Sequence, residues 1–202
     1  MVTMIFWDLG GVLLTNGWDR DARQRAAARF GFDWNEFEDR HEHVAADFET
    51  GRMDLDDYLE RTILFEPRAF SRDDVRAFMF AQSRENAAAL DLARRLSGRE
   101  GCRSAVLNNE SLELNLYRIE RFRLREHFSL FFSSCFVGLR KPDPAIYRLA
   151  LQVTQTPASA AVLVDDRAIN TDAATRVGMQ VIHYRQVEQL RACLVEMGVE
   201  VD

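Results

Sequence analysis

Hydrophobic residues along this chain change rhythm twice, and each stretch predicts a different structure. The first run, Met4-Ile5-Phe6-Trp7, is continuously apolar and stops at Asp8. Leu9-Gly10-Gly11-Val12-Leu13-Leu14 follows, so the pattern predicts a buried strand, a glycine turn and a short extended return. From Asn16 to about Ser83 helical spacing takes over. A helix is predicted from Asp19 to Phe30, stopped by Gly31, and a second opens at Asp33, where Glu36 three residues on completes a capping-box pattern. Gly51 closes that second helix, whose residues Trp34, Phe37, Val44 and Phe48 form one apolar stripe. Further helices are predicted over Leu55 to Phe65 and, beyond Pro67 and capped by Ser71, over Arg72 to Gln82.

After Ser83 strands and helices alternate. A helix to Leu96 is stopped by Gly98. Ser104–Leu107 then reads as a strand, Ser111 to Phe122 as a helix and Leu130–Ser133 as a strand. Asp143 is an N-cap with Pro144 at the first helical position, opening a helix to about Val153. Ala161–Val164 is a strand, a helix ends at Gly178, Gln180–His183 is a strand, and a last helix stops near Gly198. Short, continuously apolar strands alternating with helices predict an α/β fold with a doubly wound parallel sheet of about five strands. An all-helical insertion follows the first strand. The expected division is an α/β core of residues 1–15 and 84–202 and a helical domain of residues 16–83.

Composition narrows this picture only modestly. With 47% hydrophobic and 29% charged residues in 202, the chain reads as an ordinary globular protein with no low-complexity segment. A formal charge of -6 argues against a nucleic-acid partner, since neutralising phosphates needs clustered Lys and Arg. Cys102, Cys135 and Cys193 are odd in number and far apart, which predicts a reducing, cytoplasmic setting rather than a disulfide framework or zinc site. The apolar start lacks a basic leader, and no run is long enough to span a bilayer, so no membrane partner is expected. The oligomeric state cannot be read from the pattern.

Open parallel sheets bind ligands beyond the carboxyl ends of their strands. That rule gathers Asp8, Asn108, Asn109, the loop around Lys141, and Asp165 with Asp166 at one edge. Crowded carboxylates need a cation, and a small set of hard oxygen ligands suits Mg²⁺. Lys141, stiffened by Pro142, would neutralise a carboxylate and a transferred phosphoryl group. Each residue also has a plainer reading. Asp8 before two glycines is a turn residue, Asp165-Asp166 an N-cap with a surface ion pair, Lys141 a solvated lysine, and the asparagines partners for strand-end backbone. His41 and His43 have no further His or Cys at ligand spacing and are expected on a solvent-facing helix. Trp18, Trp34, Phe37 and Phe48 are expected to pack among the helices, with Glu49 and Arg52 as exposed charges at a helix end.

Four segments in this order resemble the haloacid dehalogenase (HAD) superfamily: Asp8-Leu9-Gly10-Gly11-Val12, Leu107-Asn108-Asn109, Lys141-Pro142-Asp143-Pro144, and Val164-Asp165-Asp166 with Asn170. The resemblance covers nearly the whole chain and implies a Rossmannoid core with a helical C1 cap. Glu49-Thr50-Gly51-Arg52 is similar, more loosely, to the cap loop of sugar-phosphatase-like members. The resemblance further implies a Mg²⁺-dependent hydrolase of small phosphate monoesters. Asp8 would be the nucleophile that forms an aspartyl-phosphate, with Asn108 and Lys141 as the other catalytic residues and Gly11 and Asn109 as substrate contacts. Asp8, the Gly10 carbonyl and Asp166 would hold the metal, supported by Asp165 and Asn170.

Two positions depart from the pattern of family phosphatases. Gly10 stands where these usually carry an aspartate that protonates the leaving group, and Asn108 stands where they present Ser or Thr. Unless another acid substitutes for the missing one, esters with good leaving groups, such as aryl or anomeric phosphates, should be preferred. Two other readings stay open. One is 2-haloacid dehalogenation, which uses the same aspartate on carbon without metal, in relatives that tend to carry an aromatic residue where Gly10 stands. The other is a catalytically silent relative that binds a phosphorylated ligand.

Overall fold

Four apolar residues with no polar face belong inside a sheet covered on both sides, and in the computed structural model, which describes residues 1–99 and 101–201, Met4–Trp7 (β1) forms the central strand. The other strands are β2 (Arg103–Asn108), β3 (Phe131–Ser133), β4 (Ala161–Asp165) and β5 (Gln180–His183), in the order β3-β2-β1-β4-β5 and all parallel. Trp7 is in register with Val106 on one side and Val164 on the other. The strands next to β1 therefore reach the same edge together, and Asp8 N–H continues the ladder to the Val164 carbonyl at 3.0 Å.

Alternation along β1 sends Ile5 and Trp7 to one face and Met4 and Phe6 to the other. The first pair packs with Leu90 and Leu96 of α5 (Ala87–Ser97), Ile119 of α6 (Leu112–Arg121), and Leu190 and Leu194 of α10 (Val187–Glu196). The second packs with Ile146, Tyr147 and Ala150 of α8 (Pro144–Thr154) and Ala173 and Ala174 of α9 (Ala168–Arg176). This two-faced core is the doubly wound α/β arrangement expected from the strand pattern.

Between β1 and β2 lie α1 (Arg20–Phe30), α2 (Trp34–Glu49), α3 (Leu55–Thr62) and α4 (Arg72–Ala81). Each begins at a side-chain cap. Asp19, Asp33 and Asp54 accept from the N–H of Ala22, Glu36 and Asp57, each at 2.8 Å, while Ser71 and Asp74 form a complete capping box. At Asp33 only half of the predicted box forms, because Glu36 pairs with Arg40 at 3.1 Å instead. The third helix stops at Thr62, short of Phe65. These helices enclose an aromatic core of their own around Trp18, Phe37, Phe48 and Tyr58, and Leu114 of α6 joins it from the sheet side.

The chain enters and leaves this segment at one place. Thr15 N–H donates to the Arg84 carbonyl at 2.9 Å, the Thr15 hydroxyl donates to the Gln82 carbonyl at 2.7 Å, and Arg84 N–H returns to that hydroxyl at 2.9 Å. The predicted extended return after the glycine turn consists of single bridges, Gly10 with Leu14 and Leu14 with Glu85, rather than a strand. A four-residue helix, α7 (Ser134–Val137), follows β3 and was not evident from the pattern. Among the described residues no helix is long and apolar enough to cross a membrane, and all three cysteines are free.

Candidate functional site

Three strand ends bring their polar residues to one point. Asp8 follows β1 directly and holds its Oδ1 against its neighbour's N–H, that of Leu9, at 2.8 Å. Lys141 reaches under it from the loop before α8. Its ammonium donates to Asp8 Oδ2 at 2.9 Å, Asp165 Oδ2 at 2.6 Å and the Leu107 carbonyl at 2.9 Å, which accounts for all three of its hydrogens. Asn109 fixes that loop from both sides, donating to the Lys141 carbonyl at 2.8 Å and accepting from Lys141 N–H at 2.9 Å. Asp165, at the end of β4, also accepts from Arg167 N–H at 2.9 Å and from Asn170 Nδ2 at 3.0 Å.

The electrostatics follow from three carboxylates around one ammonium. Burial raises the Asp8 pKa well above 3.8, and the charges of Asp165 and Asp166 add to this, while Lys141 opposes it. Burial also works against ionised Asp165, but the Lys141 charge and the bonds from Lys141, Arg167 and Asn170 outweigh it and hold its pKa low. For Lys141 burial is again outweighed, here by Asp8 and Asp165, and its pKa is raised. Asp166 is raised by burial and by Asp165.

Carboxylate oxygens of Asp8, Asp165 and Asp166 lie within 4.8 Å of one another. This crowding of hard oxygen donors suits a divalent cation such as Mg²⁺, whose charge would offset the burial and the neighbouring carboxylates that raise the Asp8 pKa. Gly11 makes the approach possible. It has a φ of +74°, and a Cβ there would stand 2.1 Å from Asp166 Oδ2.

The site opens into a cleft of about 580 Å³ between the strand edge and α1 and α2. Asp8, Gly10, Asn109, Lys141, Asp166 and Asn170 all line it, so six residues singled out in the sequence meet there. Asp165 lies behind them, fully buried. Asn108 does not line the cleft. It is buried at 1% exposure, donates to Asn115 Oδ1 at 3.0 Å and accepts from the Ser133 hydroxyl at 2.7 Å. Gly11 sits against Asp166 rather than in the cleft wall.

His41 departs from the solvent-facing position expected for it: it lines the cleft and bonds through Nδ1 to the Tyr58 hydroxyl at 2.8 Å. Tyr58 in turn accepts from Trp18 Nε1 at 2.8 Å. Burial, with the nearby Arg23, lowers the His41 pKa to about 4. Glu49 pairs with Arg140 at 2.8 Å across the mouth of the cleft, whereas Arg52 pairs with Asp47 at 3.0 Å. Sequence reasoning missed Arg118 and Glu110, which also line the cleft and pair at 2.9 Å. One signal was available: Arg118 lies four residues from Leu114, on the face of α6 that the helix buries.

The family model for haloacid dehalogenase-like hydrolases matches residues 2–178. Over 179 residues the chain is 24% identical to flavin mononucleotide hydrolase 1 of Arabidopsis thaliana, covering 88% of this chain and 72% of that protein. It is 31% identical over 94 residues to bifunctional epoxide hydrolase 2 of Sus scrofa, a match spanning 45% of this chain and 17% of that protein. Among solved structures, a HAD family enzyme of Bacteroides thetaiotaomicron superposes with a TM-score of 0.82 at 19% identity, covering 96% of this chain and 98% of the other. A second structure of that enzyme, in complex with magnesium and inorganic phosphate, gives 0.74 at 18% identity over 92% and 95%. L-2-haloacid dehalogenase of Xanthobacter autotrophicus gives 0.65 at 19% identity over 97% and 83%.

Proposed function

Because this chain belongs to the haloacid dehalogenase-like hydrolases, we propose that it is a Mg²⁺-dependent phosphatase of small phosphate monoesters in which Asp8 is the nucleophile. The observation that carries this reading is the Asp8 carboxylate at the end of the central strand, held by Lys141 and crowded by Asp165 and Asp166. The magnesium and phosphate complex of the Bacteroides enzyme supports it.

Asp8, the Gly10 carbonyl and Asp166 would hold the cation. When bound, Mg²⁺ supplies positive charge that favours ionised Asp8 and offsets the phosphoryl oxygens. Asp8 would attack phosphorus and displace the ester's alcohol to give an aspartyl-phosphate, which water then cleaves to inorganic phosphate and free Asp8, splitting one hard displacement into two. Lys141 orients Asp8 and adds positive charge beside the phosphoryl group. Asp165 and Asn170 keep Lys141 in place, and Asn109 fixes its loop. Residues 16–83 act as a cap, with α1 and α2 closing the cleft over the ester and excluding bulk water.

Phosphate release from a panel of metabolite monoesters with Mg²⁺, with Asp8→Asn as the blank, tests the reading. Asp8→Asn should lose at least ~10³-fold in turnover. Equal release by both proteins would refute it. Halide release from 2-haloacids that persists in excess chelator would favour the dehalogenase instead. Tight ligand binding without turnover across the panel would favour a binding protein.

A further inference from the structure

A poor leaving group needs a proton when its bond to phosphorus breaks, and Gly10 leaves the nucleophile loop without a side chain to supply one. The titratable groups lining the cleft can be taken in turn. Asp8 is the nucleophile, Asp166 belongs to the carboxylate cluster, and every Lys141 hydrogen is already committed. His41 is bound to Tyr58 and, with its lowered pKa, carries no proton to give as a cation at neutral pH. Asp19 caps α1, Asp21 is exposed in its first turn, and Glu49 is half-exposed at the mouth, in solvent rather than in the cleft floor. Glu110 remains.

Glu110 follows the motif of β2 and is held rigidly. Its N–H donates to the Ser134 hydroxyl at 3.0 Å, its Oε1 accepts from Ser111 N–H at 3.0 Å, and its Oε2 accepts from Arg118 Nη1 at 2.9 Å. Arg118 is itself almost wholly buried, and its Nε and Nη2 donate to the Ser83 hydroxyl at 3.0 Å and the Thr15 carbonyl at 2.9 Å. Two glycines let this guanidinium reach the nucleophile loop. A Cβ on Gly17 would meet Nη2 at 2.4 Å, and a Cβ on Gly10 would stand 3.8 Å from Nη1. Arg118 Nη1 therefore ends beside the position-10 backbone, and the Glu110 carboxyl, 2.9 Å from that nitrogen, lines the same cleft as Asp8.

We propose that Glu110, positioned by Arg118, is the proton-transfer residue of this cleft and performs the work that position 10 cannot. The inference rests on the phosphatase reading above. In the first step the Glu110 carboxyl gives its proton to the leaving oxygen as the O–P bond breaks and the bond between Asp8 and phosphorus forms. In the second, the Glu110 carboxylate takes a proton from the attacking water as its oxygen bonds phosphorus and the Asp8 bond breaks, releasing inorganic phosphate and restoring the acid. The environment agrees with the geometry. Burial raises the Glu110 pKa, Arg118 and the Ser111 N–H oppose that, and Glu49 on the facing helix adds to it.

Glu110→Gln keeps the shape and the bond from Ser111. It should lower turnover of alkyl phosphates by ~10²-fold or more, whereas with p-nitrophenyl phosphate the first-turnover burst of nitrophenol stays within about threefold and only the steady state, which needs the water activated, slows. Adding Gly10→Asp to that variant should restore alkyl turnover, since only the mobile end of Asn16 stands in the way, 2.9 Å from the new Cβ. Equal losses of the first turnover on both substrate classes, or no loss on either, would overturn the proposal. Should Glu110→Gln fail to fold, the wild type decides alone. Across a series of esters its rate should depend weakly on leaving-group pKa, and a steep dependence overturns the proposal. Failure of the wild type to release phosphate even from p-nitrophenyl phosphate would instead remove the phosphatase reading beneath it.

Discussion

The strand edge and the helical insertion both bury polar side chains, and they do so in opposite ways. At the edge the buried groups are ionisable, acid against base: Asp8 and Asp165 on Lys141, and Glu110 on Arg118. In the insertion the buried chain from Trp18 through Tyr58 to His41 is neutral, with Tyr58 stacked on Phe48 at 3.9 Å, and the ion pairs, such as Arg20 with Glu38, stay nearer the rim. Burial drives the Tyr58 pKa up and the His41 pKa down, so neither carries charge at neutral pH. Desolvating ions is expensive and replacing them with apolar groups is often stabilising, so a fold concentrates them where charge is used. The insertion gains order from its hydrogen bonds without that cost.

Four measurements sharpen or break this contrast. Lys141→Met strands two buried carboxylates and should lower unfolding free energy by about 3–5 kcal/mol at pH 7, read by urea titration in chelator. A loss under about 1 kcal/mol would mean the edge is not held by charge. Tyr58→Phe leaves Trp18 Nε1 and His41 Nδ1 without their partner and should cost about 2–3 kcal/mol, with catalysis on bound ester less affected than stability. The third is a pH effect. Below pH 6.5 the unfolded chain protonates His41, whereas the folded chain resists until about pH 4. Stability therefore falls as pH drops through that window, by up to ~2 kcal/mol at pH 5 from this group. His41→Gln should flatten the melting curve between pH 6.5 and 5, and an unchanged slope would contradict a buried neutral imidazole. Glu49→Gln removes a half-exposed pair and should change stability by no more than ~1 kcal/mol. A larger loss would place this rim contact among the buried ions.

The strand edge was legible in the sequence because its signals are local. Each strand is a short continuous apolar run, and Asp8 and Asp165 sit at or just past the ends of two of them. Helix starts were legible for the same reason, since Asp19, Asp33 and Ser71 cap within three residues. What escaped is held together across distance. Arg118 meets Thr15 over 103 residues and Ser83 over 35, and nothing near it in sequence announces either partner. His41 was expected to face solvent because it has no further His or Cys at ligand spacing, although it falls on the stripe of Phe37, Val44 and Phe48, and the partner that draws it inward, Tyr58, lies on the next helix. Asn108 shows the converse: its place was evident, but the direction of its side chain depends on Asn115 and Ser133. The helix Ser134–Val137 was too short to leave a period.

The junction at Thr15, Gln82 and Arg84 bears on how such a molecule is assembled. To the sheet, the whole helical excursion is equivalent to a tight turn, since its two ends are fastened to each other before either reaches a strand. Closing that loop adds only a slowly growing entropic penalty as the excursion lengthens. The helical body over the cleft can thus be enlarged, shortened or exchanged while the strand edge below keeps its register.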